Sequence, residues 1–321
     1  MKIAFVSENG FTGKVDRMHP NMRVEYAWMC ALEADHLPLY GFPDWPYLNE
    51  MYDLLIWIIP KKNIDNIMTN DWIQIFKKIS KKVAVMQEGP RWYFQDYPLN
   101  QQIWFYNTLC SVDILFAHNY KDAQYFKGLT NHKDVRVMRS VMIPDPINQE
   151  ALTPPEERKD VIIGGNQCRW YGGFDSFIAA QEFECPISAP AMGRKISGEE
   201  QLVNILPYAT WNNWIVQLSE FKYAVHLMPT QGAGTFALNC AYLGIPNIGY
   251  YDLDTQEVLH PNLTVEMDDL LGAKKLAKRL KEDEDFYKEQ SNIALDNYKR
   301  IYTEESYKIN FYDQFNKPEQ K

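Results

Sequence analysis

The stretch Thr230–Tyr251, TQGAGTFALNCAYLGIPNIGYY, holds the residues best spaced for chemistry. Ahead of it an apolar run, Tyr223–Met228, stops at Pro229, as a short buried strand would. Gln231-Gly232-Ala233-Gly234 can turn tightly because glycine tolerates positive φ. Thr235–Leu243 then reads as a helix of small residues stopped by Gly244 and Pro246, and Asn247–Tyr251 as the next strand. In this order, backbone N–H groups at a helix start lie free beside the carboxyl ends of strands, which is a seat for a phosphate. From the glycines alone an ordinary tight turn is the favoured reading, since short motifs carry many false positives.

The surrounding spacing resembles the nucleotide-sugar site of GT-B glycosyltransferases, especially the large retaining family with the pattern E-G-x-G-x-x-x-x-E-A-x-A-x-G-x-P. The same register here reads Gln231-Gly232-Ala233-Gly234, Asn239-Cys240-Ala241 and Gly244-Ile245-Pro246. Upstream, Trp214–Glu220, Tyr223–Met228 and Pro229-Thr230 echo the family's polar helix, short strand and Pro-Ser. The two acidic positions that contact donor hydroxyls in the family are the amides Gln231 and Asn239 here. Amides still donate and accept hydrogen bonds, but the sugar and the retaining or inverting outcome are left open. The resemblance is specific over residues 210–250 and architectural elsewhere.

The resemblance implies a UDP-sugar donor held by Thr230, Gln231, Gly232, Ala233, Gly234, Thr235 and Asn239. Arg169 follows the first strand of the second domain, where the family places a basic residue for the phosphates; Arg194, after Pro190-Ala-Met-Gly193, is a further donor-binding candidate. Arg169 could equally be a surface arginine capping a loop. Helix N-termini, backbone N–H groups and arginine can hold a leaving diphosphate, so no metal is required, although a divalent cation could speed product release. Asp252-Leu253-Asp254 imitates the metal-binding D-x-D of GT-A enzymes but lies late in the chain and is read as coincidence. The six histidines show no metal spacing; His226 falls inside a buried strand as a core residue, and His19 and His118 stay unassigned.

Glu88 sits just past a strand end, in Gln87-Glu88-Gly89-Pro90, and Asp96 lies eight positions on in a Trp- and Tyr-rich loop. The first domain of GT-B enzymes faces the acceptor, and a hydroxyl nucleophile needs a carboxylate within reach, so Glu88 is the candidate base with Asp96 as rival. Either could instead cap a helix or pair with Arg91.

Charge is unevenly placed. The net charge is −9, yet residues 1–150 hold 16 Lys and Arg against 17 Asp and Glu, and the remainder 17 against 25. The first half is the better candidate to meet a polyanion. Lys77, Lys78, Lys81 and Lys82 form a basic cluster, readable as a solvated face or as phosphate contacts. Arg91-Trp92-Tyr93-Phe94 could stack on an extruded base or form a hydrophobic lid. Asn9 and Gly10, in the loop Glu8–Lys14, could admit a substrate to the backbone or belong to a long connection. The overall flavour, rich in Asn, Tyr and Lys, resembles T-even-type phage proteins, whose GT-B enzymes glycosylate 5-hydroxymethylcytosine in DNA with glucose or arabinose. That resemblance implies double-stranded DNA as acceptor, with Asn9, Gly10, Arg91, Trp92, Lys77 and Lys78 as acceptor-binding residues. A transferase of bacterial surface glycans and a non-catalytic nucleotide-sugar-binding protein are the alternatives.

Five scattered cysteines, at 30, 110, 168, 185 and 240, form no C-x-x-C pair, which argues for a reducing cytoplasm. The N-terminal apolar run is too short for a signal peptide, and the longest uninterrupted run, Leu54–Ile59, is far below a membrane span. A soluble, cytoplasmic monomer without membrane contact is the expectation.

Strands are expected at Lys2–Ser7, Asp53–Ile59, Val83–Met86, Asp113–Ala117 and Val135–Met138, alternating with helices at Asn21–Leu32, Asp71–Ile79, Gln101–Cys110 and Tyr120–Lys127. A Pro- and Glu-rich linker spans Pro144–Glu157. A second series starts at Asp160–Ile163, with a helix over Asp175–Gln181 and a strand at Pro186–Ala189, and leads into the glycine turn. The alternation predicts an α/β fold of two Rossmann-like, doubly wound domains facing a cleft, with a C-terminal helix crossing back. The expected divisions are an acceptor-side domain over 1–150, a nucleotide-sugar domain over 151–285 and a returning helical segment over 286–321.

Overall fold

The computed structural model describes residues 1–41, 45, 51–87, 89–131, 134–165, 169–191, 198–230 and 232–316, with Arg169 as backbone only. The chain divides into two compact units. The first comprises Met1–Arg17, Glu25–Arg139 and Lys308–Lys321; the second comprises Met18–Val24 and Ser140–Tyr307.

The sheet of the first unit is built from β1 (Ile3–Ser7), β2 (Asp35–Pro38), β3 (Leu54–Ile59), β4 (Val83–Gln87), β5 (Ile114–Ala117) and β6 (Val135–Val137). The strands lie parallel in the order β2-β1-β3-β4-β5-β6. Every residue of β3, Leu-Leu-Ile-Trp-Ile-Ile, is buried, the signature of a strand covered on both faces. The helices are α1 (Val24–Ala31), α2 (Ile64–Ile67), α3 (Trp72–Phe76), α4 (Leu99–Cys110) and α5 (Tyr120–Thr130). The Asp71 carboxylate caps α3 by accepting from Gln74 N at 3.2 Å. The helix is shorter than the apolar pattern suggests, since Lys77 already stands at its C-cap. Trp57 of β3 lies in the core of this unit with Trp72, Phe76 and Phe105.

The second unit carries β7 (Lys159–Ile163), β8 (Ile187–Ala189), β9 (Asn204–Ile205), β10 (Phe221–His226), β11 (Asn247–Tyr250) and β12 (Thr264–Val265). Their order is β12-β11-β10-β7-β8-β9, again parallel. Counted within the unit, this is the 3-2-1-4-5-6 order of the dinucleotide-binding fold, with its topological switch between β7 and β10. The helices are α6 (Gly173–Ala180), α7 (Trp211–Leu218), α8 (Thr235–Leu243), α9 (Asp254–Leu259), α10 (Leu270–Glu282) and α11 (Glu284–Ile301). The short segment Met18–Val24 joins this unit through the start of α7: Trp211 N donates to the Asn21 side-chain Oδ1 (3.1 Å) and Asn212 N to Pro20 O (3.0 Å).

The charged C-terminal stretch is divided more finely than its periodicity suggests. Asp283 ends α10 and caps α11, its side chain accepting from Phe286 N at 2.9 Å. After Tyr302 the chain forms α12 (Glu304–Asn316). Within the first unit Phe311 stacks on Phe116 of β5 at 5.9 Å, and Gln314 Nε2 donates to Val137 O at 3.2 Å. The Arg136 guanidinium lies 4.3 Å from the ring centroid of Phe315. Among the described residues no helix is long and apolar enough to cross a membrane.

Phe311 is 1% exposed and Ile309 is 57% exposed. Phe311→Ala removes a buried ring and should cost about 3–5 kcal/mol of unfolding free energy, whereas Ile309→Ala should cost under about 0.5 kcal/mol. Urea unfolding of both variants checks this; equal midpoints would show that α12 adds nothing to the fold.

Candidate functional site

The switch point of the second sheet is closed by residues that cannot carry side chains. A Cβ on Gly164, just past β7, would lie 2.3 Å from His226 Cγ at the end of β10. Gly172 has φ +60°, and a Cβ there would lie 1.7 Å from Leu227 O. Both glycines let the loops after β7 and β10 approach each other to backbone distance.

The glycine turn follows directly. Thr230 is buried and its hydroxyl donates to Trp170 O at 2.9 Å. Ser140 Oγ donates to Ala233 O. Gly234, at φ 64° and ψ 31°, forms the N-cap of α8, and a Cβ there would lie 1.9 Å from Thr255 Oγ1. Among the described residues no side chain caps α8, and its first backbone N–H groups meet no side-chain acceptor there. The turn is thus pinned from three sides and presents a helix start at a strand carboxyl end, an arrangement that favours an anion. Gly232 differs: a Cβ there would meet only Met228 Cε, at 3.9 Å.

Behind the turn, neutral polar groups hold α8 against β11. His260 Nε2 lies 3.0 Å from Ala237 O of α8 and donates to it. Asn247 Nδ2 donates to Gln256 Oε1 at 2.6 Å, and Gln256 Nε2 returns a bond to Asn247 O at 2.9 Å. Asn239 sits inside this frame. Its amide donates to Thr235 O (3.2 Å) and accepts from Trp214 Nε1 (3.3 Å), and the residue is buried. The amide that stands at a donor-contacting position of the sequence pattern is therefore occupied by the fold itself. Thr230, Gly232, Ala233, Gly234 and Thr235 are brought together at the helix start. Gln231, Arg194 and Glu88 lie outside the described residues, as does the side chain of Arg169, whose backbone opens a short 3-10 turn, Arg169–Tyr171.

In the first unit the expected acceptor residues divide between two edges of the sheet. Asn9 and Gly10 follow β1, and Arg91 and Trp92 follow β4, so these four lie beyond strand carboxyl ends. Lys77 and Lys78 precede β4 and belong to its amino end, where Lys77 Nζ reaches Ser111 O at 3.5 Å and the neighbouring Lys81 pairs with Asp53 at 2.7 Å. At the carboxyl edge Asn9 Nδ2 donates to Ser7 Oγ (3.0 Å) and to Glu25 Oε2 (2.8 Å). Ser7 Oγ and His36 Nε2 are 2.9 Å apart, and His36 Nδ1 is 2.6 Å from Phe11 O. Neutral His36 donates from Nδ1 and accepts from Ser7, which latches the loop after β1. Arg91 is tied to buried Asp122 at 3.1 Å, and its guanidinium lies over Tyr125. Burial pushes the Asp122 carboxyl up to about 6 against the pull of Arg91. Asp96 is exposed at the end of a short 3-10 turn, Tyr93–Asp96.

Two further groups at this edge escape a reading by motif. His118, just after β5, is buried against Trp28 (ring centroids 5.7 Å apart) near the Gln87 backbone, and by geometry neither ring nitrogen completes a hydrogen bond among the described residues. Lys61, after β3, extends towards Gly89 and lies over the Tyr93 ring at 5.2 Å. Their positions after strands, and not their spacing, are the signal. Asp252 and Asp254 hold no partner set for a metal: among the described residues no group of three His, Cys, Asp or Glu is placed to bind one.

No protein-family model and no curated protein matches the sequence. Solved structures do match its fold. A sucrose-phosphate synthase from Thermosynechococcus elongatus is 11% identical with a TM-score of 0.67, covering 98% of each chain. HepE of Anabaena in complex with UDP-glucose is 12% identical with a TM-score of 0.65, covering 98% of this chain and 99% of that one. An alpha-glucosyltransferase in complex with UDP and a 13-mer DNA containing an HMU base is 13% identical with a TM-score of 0.69, covering 99% and 100%.

The fold is GT-B. At these identities the likeness is one of architecture.

Two outcomes follow. Gly234→Ala places a side chain at positive φ against Thr255 and should destabilise the fold by about 1–3 kcal/mol, while Gly232→Ala should change stability by less than about 1 kcal/mol. Thermal melts of the pair test the distinction. The second concerns pH. His36, His118, His226 and His260 are buried and held near 4, below the usual 6.5, chiefly by desolvation. The stability tied to their neutral forms is complete above pH 6.5 and is lost as pH falls towards 4, at up to about 1.4 kcal/mol per unit for each. Asp122 runs the other way, because the folded chain keeps its proton up to about 6 and the unfolded chain releases it near 3.8. Four groups against one predict a urea midpoint that falls steadily from pH 7 to pH 5; a level midpoint would show those histidines to be solvated.

Proposed function

We propose that the protein is a glycosyltransferase that moves a sugar from a UDP-sugar to a hydroxyl acceptor. The observation that carries this reading is the uncapped start of α8, held open by Gly234 at the carboxyl end of β10 beside the switch point. A diphosphate seated there would accept the first N–H groups of the helix, and the positive end of the helix dipole would stabilise the charge that develops as UDP leaves. Support comes from the fold match to HepE with UDP-glucose and to the alpha-glucosyltransferase with UDP. In the reaction the acceptor oxygen bonds to the anomeric carbon, the bond from that carbon to the diphosphate oxygen breaks, and the hydroxyl proton passes to a base. Glu88, placed in the sequence between the last residue of β4 and Gly89, is our candidate for that base.

For the acceptor we propose 5-hydroxymethylcytosine in double-stranded DNA. The likeness to an alpha-glucosyltransferase bound to DNA with an HMU base supports it, as does the near-balanced charge of the first half of the chain beside the strongly acidic second half. Lys61, Arg91 and Trp92 follow strand ends and supply cations and an aromatic face for phosphates and an unstacked base.

The donor site is tested by calorimetry with UDP. Gly232→Val, which the fold can hold, should weaken UDP binding at least about tenfold, or 1.4 kcal/mol; unchanged affinity in the folded variant would remove the turn as the UDP seat. The acceptor is tested by incubating UDP-sugars with hydroxymethylated and plain DNA and analysing the nucleosides by mass spectrometry. Glu88→Gln should keep UDP binding and slow transfer by roughly 10²-fold or more. Trp92→Ala should raise the apparent acceptor constant, whereas charge reversal at Lys77 and Lys78, on the opposite edge, should leave it within about twofold. If no UDP-sugar modifies hydroxymethylated DNA, the DNA acceptor fails and a glycan acceptor takes its place.

A further inference from the structure

The flank of the first unit holds a groove that neither the donor nor the acceptor reading uses. It runs between α3 and α4, following α4 from Asn100 to Ser111, and encloses about 550 Å³. That volume falls within the roughly 300–1,000 Å³ of small-ligand sites. Three tryptophans line the groove, Trp57 and Trp72 buried and Trp104 half-buried. The Trp57 ring lies 6.5 Å from that of Trp72 and 6.1 Å from that of Trp104, centroid to centroid. Trp72 Nε1 donates to Ile67 O at 2.8 Å, but Trp57 Nε1, on a residue 1% exposed, finds no acceptor among the described residues.

The walls are amides. Gln74, Asn100 and Asn107 line the groove and are exposed, and their side chains carry no hydrogen bond to another described residue. Charge is almost absent and already engaged. Asp71 caps α3, and Lys77 Nζ reaches Ser111 O. A phosphate-bearing ligand would find one cation, and the helix start that lines the groove, that of α3, is already capped by the Asp71 carboxylate. An apolar helix would leave three amides unpaired. A neutral sugar ring answers both surfaces at once: its C–H face lies on indole, and its neighbouring hydroxyls, each a donor and an acceptor, match amides that do both.

We propose that the groove between α3 and α4 binds a neutral oligosaccharide, as a site separate from the UDP seat of the second unit. The site does not depend on the acceptor being DNA or on the activity itself. Titration of the full chain with maltotriose, cellotriose and xylotriose, followed by calorimetry and tryptophan fluorescence, tests it. At least one of the three should bind with a Kd below about 1 mM and perturb the fluorescence. Asn100→Ala and Asn107→Ala remove exposed amides without touching the core, and each should weaken that binding about fivefold. Trp104→Phe should weaken it while leaving the melting temperature close to that of the parent, and UDP affinity should be unchanged in all three variants. No saturable binding of any of the three saccharides overturns the proposal. So does binding that both asparagine variants leave intact, or displacement of the saccharide by uridine monophosphate. A loss of UDP binding in the glycine-turn variants bears only on the other site.

Discussion

The close approach of the β7 and β10 ends governs what the second unit can do. Gly164 and Gly172 exist there because His226 and the Leu227 carbonyl occupy the space a side chain would need. That contact fixes where β10 stops, and β10 fixes where the chain must turn. The turn that follows places Gly234 in the left-handed region against Thr255. Each step is steric, so the helix start is preorganised before any ligand arrives. Preorganised dipoles need no rearrangement when charge develops beside them, which is the property our proposed UDP seat relies on.

The support behind the turn is polar yet uncharged. Asn239, Asn247, Gln256 and His260 bind one another's neighbourhoods through amide and imidazole groups, and burial keeps the imidazole neutral. Buried charges at these positions would carry a desolvation cost and a field of their own. Neutral amides hold α8 in place without adding a field of their own at its start.

Much of this was legible in the sequence, for reasons that differ by residue. The limits of α8 at Thr235 and Leu243 follow from punctuation: Gly234 can take positive φ before it, and Gly244 and Pro246 stop it. The alternation of buried runs with helices gave two parallel sheets, because a strand covered on both faces must be apolar throughout. Strands β2, β9 and β12 were not legible. They are four, two and two residues long, and Asp35-His36 and Asn204 are polar. Pairing to a neighbour, not local composition, makes them strands. Asn239 shows what a pattern leaves out: its position matches a pattern of ligand contacts, while its surroundings also offer a carbonyl and an indole that its amide, suitably turned, can meet. Lys77 and Lys78 look adjacent to Arg91 along the chain, but β4 runs between them and carries the two groups to opposite edges.

The chain does not divide into its units by one cut. Residues Met18–Val24 belong to the second unit although first-unit segments flank them, and Lys308–Lys321 return to the first. The polypeptide therefore crosses over four times, after Arg17, Val24, Arg139 and Tyr307. A fragment ending at Arg139 would lose the Phe311 ring that covers Phe116, and one beginning at Ser140 would lose the Asn21 and Pro20 oxygens that receive the first N–H groups of α7. Neither fragment is a self-sufficient piece. Evolution or an engineer can exchange the first unit only by moving three separate tracts of chain together, and the second only by moving two.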